Sequence, residues 1–345
     1  MVPRQHVYDT FWRFAAVRQE IFFARLRGDA PPWCDDPIFN TYKFCNSYRA
    51  SDRVSQYLIR NVIYGGDRDS PDGSFSEEDT IFRIVLFKIF NRIETWERLE
   101  EKIGRIKLSG FDFERYCRAL EEIRRAGQPI YTSAYMSCAS KAFGHDLKHR
   151  NHLALIARMF VTDRIAGDII SARSLEAVYQ MLLEYPLIGR FTAYQMAIDI
   201  NYSTAIDFSE NEFTAAGPGA ERGIRKCFMD TGGRSDSYVI RWMVDRQEQE
   251  FDRLGIRFKN LWGRPLHAID CQNLFCETDK YCRAAYPELS SNRTRIKARF
   301  IPNPVPIEYF YSPKWGINSR VQEDFGARRS RTSDPVPPLQ TALAF

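Results

Sequence analysis

Three stretches of this 345-residue chain place reactive or ligand-binding side chains in patterns that chemistry can use. The first, "TYKFCNSYRASDRVSQYLI" (41–59), crowds Lys43, Asn46, Arg49, Asp52, Arg53 and Gln56 among Tyr42, Phe44 and Tyr48. Its apolar spacing predicts a packed helix of about three or four turns. In the second, "LLEYPLIGRFTAYQMAIDINYS" (182–203), a helix ends near Glu184, "PLIG" turns the chain, and a new helix starts at Arg190 after Gly189. This is the pattern of a helix-hairpin-helix, whose backbone N–H groups at the second helix start can grip a DNA phosphate. Small Ala193 lets the helices approach closely; an ordinary αα-hairpin is the plain alternative. The third, "DFSENEFTAAGPGAERGIRKCF" (207–228), pairs Ser209 with Glu212 as a capping box for a helix start. It then sets Gly217, Gly219 and Gly223 beside Arg222, Arg225 and Lys226. Glycines let backbone approach a ligand and the cations suit an anion such as phosphate, although G-P-G also marks a simple turn.

Metal chemistry finds no such pattern. Cys271, Cys276 and Cys282 in "HAIDCQNLFCETDKYCRAAYP" (267–287) lack the spacing and fourth ligand of a zinc quartet. As a helix, this segment puts Gln272, Cys276, Asp279 and Arg283 on one side. Asn273, Glu277 and Lys280 form an adjoining polar stripe, in which Glu277 can pair internally with Lys280 or Tyr281. His145, His149 and His152 fall at i, i+4 and i+7 without a further ligand, which predicts solvated or capping roles. No metal and no cofactor is expected. The chain holds no G-x-x-x-x-G-K-[ST], G-x-G-x-x-G, H-E-x-x-H or P-C-x-x-C motif, so kinase and zinc-hydrolase chemistry are not expected of it.

These residues must be positioned by helices. Helical periodicity covers 8–27, 78–103, 111–127, 145–165, 171–184 and 232–255, with Gly28 and Gly127 as stop signals. Ser76 with Asp79 resembles an N-cap after the loop 64–79. Short strand-like pieces appear only near 128–137 and 300–312, so the fold class is mostly α. Residues 8–310 read as one helical domain, or two helical lobes, and 325–345 as a disordered basic and proline-containing tail. Hydrophobic content of 44% and charged content of 27% are globular values. No apolar run reaches the roughly 18 residues of a membrane span, and no signal peptide is evident. Eight scattered cysteines fit reduced thiols in an intracellular setting, nuclear if the source is eukaryotic. A net charge of +5 is compatible with a polyanionic partner, with basic residues concentrated at 292–300 and 326–332.

Taken together, "GDAPPWCDDPIFNTYKFCNSYRASDRVSQYLI", "GRFTAYQMAIDINYS", "FSENEFTAAGPGAERGIRKCF" and "IDCQNLFCETDKYCR" resemble the helical domain of the 5-hydroxymethyldeoxyuridine (5-hmdU) DNA kinases. That domain is shared with alpha-glutamyl/putrescinyl thymine pyrophosphorylases, and the resemblance spans about residues 10–300. It implies a DNA glycosylase-like helical fold and DNA as partner, alongside base-modification enzymes such as a hydroxylase or kinase. It implies substrate or phosphate binding by Lys43, Asn46, Arg49, Asp52, Arg53, Gln272, Asn273, Glu277 and Lys280. DNA contacts are implied for Gly189, Arg190, Gly217, Gly219, Arg222, Arg225 and Lys226. Glycosylase relatives place a catalytic Asp about twenty residues after the hairpin glycine; Asp199 and Asp207 are candidates here, with Glu210 just beyond. On the expected helix, Asn46, Arg49, Arg53 and Gln56 share a face that suits a pocket wall, or else a buried network joining helices. The implied activity is group transfer onto a flipped, activated pyrimidine with displacement of pyrophosphate. A non-catalytic binder of modified DNA and a glycosylase removing a modified pyrimidine are the alternatives.

Overall fold

A computed structural model describes the chain except residues 66–74, 133–138, 290–293, 297, 302, 304–305 and 325–345. The tail expected at 325–345 and parts of the expected strand pieces and loop 64–79 therefore lie outside the described residues. Among those described, helices carry the architecture in chain order: α1 (Gln5–Arg27), α2 (Pro37–Thr41), α3 (Arg53–Tyr57), α4 (Glu77–Phe90), α5 (Ile93–Ile103), α6 (Phe113–Arg125) and α7 (Lys148–Ile156). There follow α8 (Ile165–Ile170), α9 (Leu175–Leu183), α10 (Arg190–Asn201), α11 (Pro218–Cys227), α12 (Asp236–Arg253) and α13 (Ala268–Ala285). The mostly α class is confirmed.

Local chemistry explains most boundaries. α1 ends where Gly28 adopts φ +84° and returns two N–H bonds to the last turn. Ser76 caps α4 by accepting from the Asp79 N–H, and Glu77, Glu78 and Asp79 complement its dipole. The expected single helix over 78–103 is two, because Asn91 turns left-handed at φ 48° and splits α4 from α5. At 145–165, α7 passes into a π-helical turn at Ala157–Thr162 before α8. A second π-helical turn, Leu58–Ile63, continues α3. Buried Arg83 donates to the carbonyls of Val62 (2.7 Å) and Asn61 (3.2 Å) in that turn.

The expected strand pieces do not form a sheet among the described residues. The strands that do pair are β1 (Val2–Pro3) and β2 (Phe228–Asp230), antiparallel, with Val2 opposite Asp230. The core is one aromatic-rich cluster in which α1, α4, α10 and α13 are heavily buried. Phe11, Trp12 and Phe14 of α1 pack edge-on or tilted against Phe275, Phe251 and Phe44. α11 lies against α13 at backbone distance: a Cβ on Gly223 would stand 2.1 Å from the Phe275 carbonyl oxygen. No described helix is long and apolar enough to cross a membrane.

Candidate functional site

α10 runs through the interior with every residue from Ala193 to Asn201 buried. Near its C-terminal end, Asp199 is fully buried between two cations from different elements. Arg49 Nη1 lies 2.7 Å from Asp199 Oδ1, and Lys88 Nζ from α4 lies 2.8 Å from Oδ2. Arg49 also donates to Gln195 Oε1 (2.7 Å) and the Tyr202 hydroxyl (3.2 Å). Burial opposes ionisation of Asp199, but Arg49 and Lys88 outweigh it and hold the carboxyl below its ordinary range. Burial also lowers the Lys88 ammonium to about 8, against the pull of Asp199. The Arg49 backbone N–H donates to Asp270 Oδ1 (2.9 Å), and Asp270 Oδ2 accepts from the His267 N–H (3.0 Å) in the capping box of α13. Burial pushes the Asp270 carboxyl up to about 7.

This network continues outward. Arg264 Nη2 pairs with buried Glu210 at 2.6 Å, and its guanidinium covers the Trp315 ring at 3.7 Å from the centroid. Trp315 meets Tyr202 edge-on at 5.4 Å. Asp207 stands at the surface, its side chain 80% exposed and 3.1 Å from Lys314 Nζ. The three candidate carboxylates thus occupy three environments: Asp199 ion-paired in the interior, Glu210 paired at its edge, Asp207 in water.

Residues 41–59 are not one helix, which corrects the expected face. Thr41 ends α2, Tyr42 makes an isolated bridge to Arg299, residues 43–48 are irregular, Arg49–Ser51 forms a 3-10 turn, and Arg53–Tyr57 is a short α-helix. The irregular stretch threads between α1 and α13, and its polar groups are satisfied there. Arg18 Nε of α1 donates to the Cys45 carbonyl (2.9 Å) and its Nη2 to Asn46 Oδ1 (3.0 Å). The Asn46 N–H donates to Asp52 Oδ1 (2.8 Å), and burial pushes Asp52 up to about 6. Glu277 accepts from the Cys45 N–H (3.0 Å) and from Lys280 (2.7 Å), as the internal pairing anticipated. Asn273 Nδ2 donates to the Asn46 carbonyl (3.4 Å), Lys280 to that of Lys43 (3.2 Å), and buried Gln272 faces Cys276 Sγ (3.6 Å). Lys43 is exposed and Arg53 half-buried. His149 and His152 are buried, not solvated: they meet Glu121 (3.4 Å) and the Tyr131 hydroxyl (2.7 Å). No described group of His, Cys, Asp and Glu could hold a metal ion.

A different face gathers helix starts. Gly189 caps α10, Gly217 caps α11 and Ser235 caps α12. Gly217 abuts Phe191 in the first turn of α10, where an added Cβ would stand 2.5 Å from the ring. Asp236 at the start of α12 feels Glu221, Arg225 and Arg190. Arg190 and Arg225 are exposed there. The other cations of the glycine-rich segment are committed inward: Arg222 Nε (3.1 Å) and Lys226 Nζ (2.9 Å) pair with fully buried Asp279, which Arg283 of α13 also pairs with. Gly219 and Gly223 serve the α11–α13 contact, against Cys276 and Phe275. The Ser209–Glu212 capping box is a turn, not a helix start; the helix begins at Pro218.

Sequence reasoning did not reach Lys88, Gln195, Tyr202, Arg264, Asp270 or Trp315. Asp270 had a local signal, three residues after His267 at a helix start. Lys88 had none beyond a cation on an otherwise apolar helix.

The chain is thus a mostly helical protein with buried polar networks. It belongs to the family described as "5-hmdU DNA kinase, helical domain", which residues 5–291 match. The 5-hmdU DNA kinase of Bacillus phage SP10 is 28% identical over 296 residues, covering 80% of this chain and 45% of that protein. The chain thus spans less than half the length of that relative. No solved structure matches it significantly.

Proposed function

We propose that this chain binds DNA and serves hypermodification of a 5-hydroxymethyluracil-type pyrimidine presented outside the duplex. The observation that carries this reading is the convergence of the α10, α11 and α12 starts around exposed Arg190 and Arg225. Helix N-termini and guanidinium groups are complementary to backbone phosphate. Family membership and the name of the phage relative support the DNA substrate. In the proposed step, an amine attacks the 5-methylene carbon of an activated base. A C–N bond forms, the C–O bond to pyrophosphate breaks, and pyrophosphate leaves with the electron pair. The amine proton passes to Glu210, with Arg264 beside it to offset the leaving charge.

One observation favours a second reading, a non-catalytic binder of modified DNA: the Asp199 carboxylate is held in the interior by both Arg49 and Lys88. Fluorescence anisotropy with duplex DNA across a salt series tests the shared part. Binding is expected to weaken as salt rises. Arg190→Ala with Arg225→Ala should weaken it further and flatten the slope by about 1 for each phosphate no longer neutralised. Absent or salt-independent binding would overturn it. Nucleoside mass spectrometry of DNA carrying the pyrophosphorylated base, incubated with protein and amines, then separates the readings: an aminated nucleoside supports transfer, and unchanged nucleosides with retained binding select the binder.

A further inference from the structure

From the phosphate-facing helix starts, one side of α12 carries an arginine–aromatic stripe. Tyr238, Arg241, Trp242 and Arg246 follow one another at helical spacing along it, and Arg234 joins them from the loop just before the cap. Arg234 covers the Tyr238 ring at 4.8 Å and Arg246 the Trp242 ring at 4.6 Å. Tyr238 is 38% exposed, and Trp242 keeps one side on the core through Tyr8 and Phe228. Tyr238, Arg241, Trp242 and Asp245 open onto a cavity of about 350 Å³ whose far wall is Asn211. Planar rings, planar guanidinium groups, and Asp245 able to meet a base edge make a surface for nucleobases, beside Asn211 whose Oδ1 accepts from the Ala268 N–H (2.9 Å).

We infer that this stripe is a binding track for unpaired nucleotides of the strand whose phosphates reach Arg190 and Arg225. The inference rests on the proposed DNA-binding reading and adds the form of DNA recognised. Spacing selects single-stranded over duplex DNA. Tyr238 and Trp242 are one turn apart, about 6 Å along the helix. Stacked nucleotides of a duplex advance about 3.4 Å each, so the two platforms suit bases drawn apart. Charge agrees at the platforms themselves: Arg234 and Arg246 lie over the two rings, and Arg241 stands with Asp245 between them.

The test uses the full chain, a 12-nucleotide oligo(dT) and a duplex of equal length, with thermal melts alongside. Tyr238→Ala is expected to weaken oligo(dT) binding at least about fivefold while duplex binding changes less than about twofold. Tyr238→Phe, which keeps the ring, restores it, and neither variant shifts the melt. Unchanged oligo(dT) affinity in Tyr238→Ala, or an equal loss on both DNAs, overturns the track. If the wild-type chain binds duplex with a salt slope and Tyr238→Ala has no effect, the track fails alone. If it binds neither DNA, the DNA-binding reading fails with it.

Discussion

Arg49 connects more parts of the molecule than any other residue of the 41–59 stretch. Its side chain meets Asp199, Gln195 and Tyr202, and its backbone meets Asp270. Removing one partner of a buried ion pair costs about 3–5 kcal/mol when the charge left behind has no other partner. Lys88 stays on Asp199, so the loss of Arg49 falls towards the lower end, with its bonds to Gln195 and Tyr202 lost as well. Arg49→Ala is therefore expected to lower the melting temperature strongly, and Arg53→Ala, at a half-buried position, to cost under about 1 kcal/mol. Denaturant titration of both variants checks this; equal, small effects would show that Asp199 does not depend on Arg49. Asp270 supplies a pH test. Its folded value of about 7 stands above the ordinary 3.8, so the folded state holds a proton that the unfolded state has released between those pH values. Its contribution is fully present below about pH 4 and is lost as pH rises towards 7. The stability gap between the wild type and Asp270→Asn should therefore narrow from about pH 4 to about pH 7 and level off above. A widening gap would contradict the assignment.

At the scale of elements, glycines decide how α11 meets α13. The Gly223 position faces backbone that cannot swing away, since a Cβ would stand 2.1 Å from the Phe275 oxygen. Gly223→Ala is expected to force the helices apart and to destabilise by at least about 2 kcal/mol. Gly189, at the start of α10, has nothing within 4 Å of an added Cβ. Gly189→Ala should cost under about 1 kcal/mol while placing a methyl group where a phosphate would approach, so DNA affinity falls with the fold intact. Melts and anisotropy on the two variants separate packing from binding. Loss of stability in Gly189→Ala equal to that in Gly223→Ala would remove the distinction.

Across the whole molecule, cysteines report on packing. Cys117, Cys227, Cys271 and Cys282 are buried, and burial raises their thiols above the ordinary range, Cys117 to about 11 and Cys282 to about 12. Because thiolate is the reactive form, the native protein should alkylate slowly at these positions near neutral pH and quickly in denaturant. Mass spectrometry after iodoacetamide treatment reads this directly. Rapid native labelling of Cys271 or Cys282 would mean that α13 opens readily.

The helical class, α1 with its Gly28 stop, the break between α9 and α10, and the internal Glu277–Lys280 pair were legible because periodicity, capping and i,i+3 spacing are local. So was the placement of Gly189 and Arg190 at a helix start. Residues 41–59 were not: their apolar spacing imitates a helix, but contacts with Arg18, Glu277 and Asp270 hold an irregular course that local propensity does not encode. The glycine-rich segment divides likewise. Its types announced close approach and anion affinity, and only the packing decided that Gly219, Gly223, Arg222 and Lys226 face α13 while Arg225 faces solvent. Asp199, Arg49 and Lys88 are far apart in sequence, and their meeting is a property of the core. Sequence by itself determined which groups were present and which helices carried them; the tertiary structure decided their partners, because a buried charge is defined by what surrounds it.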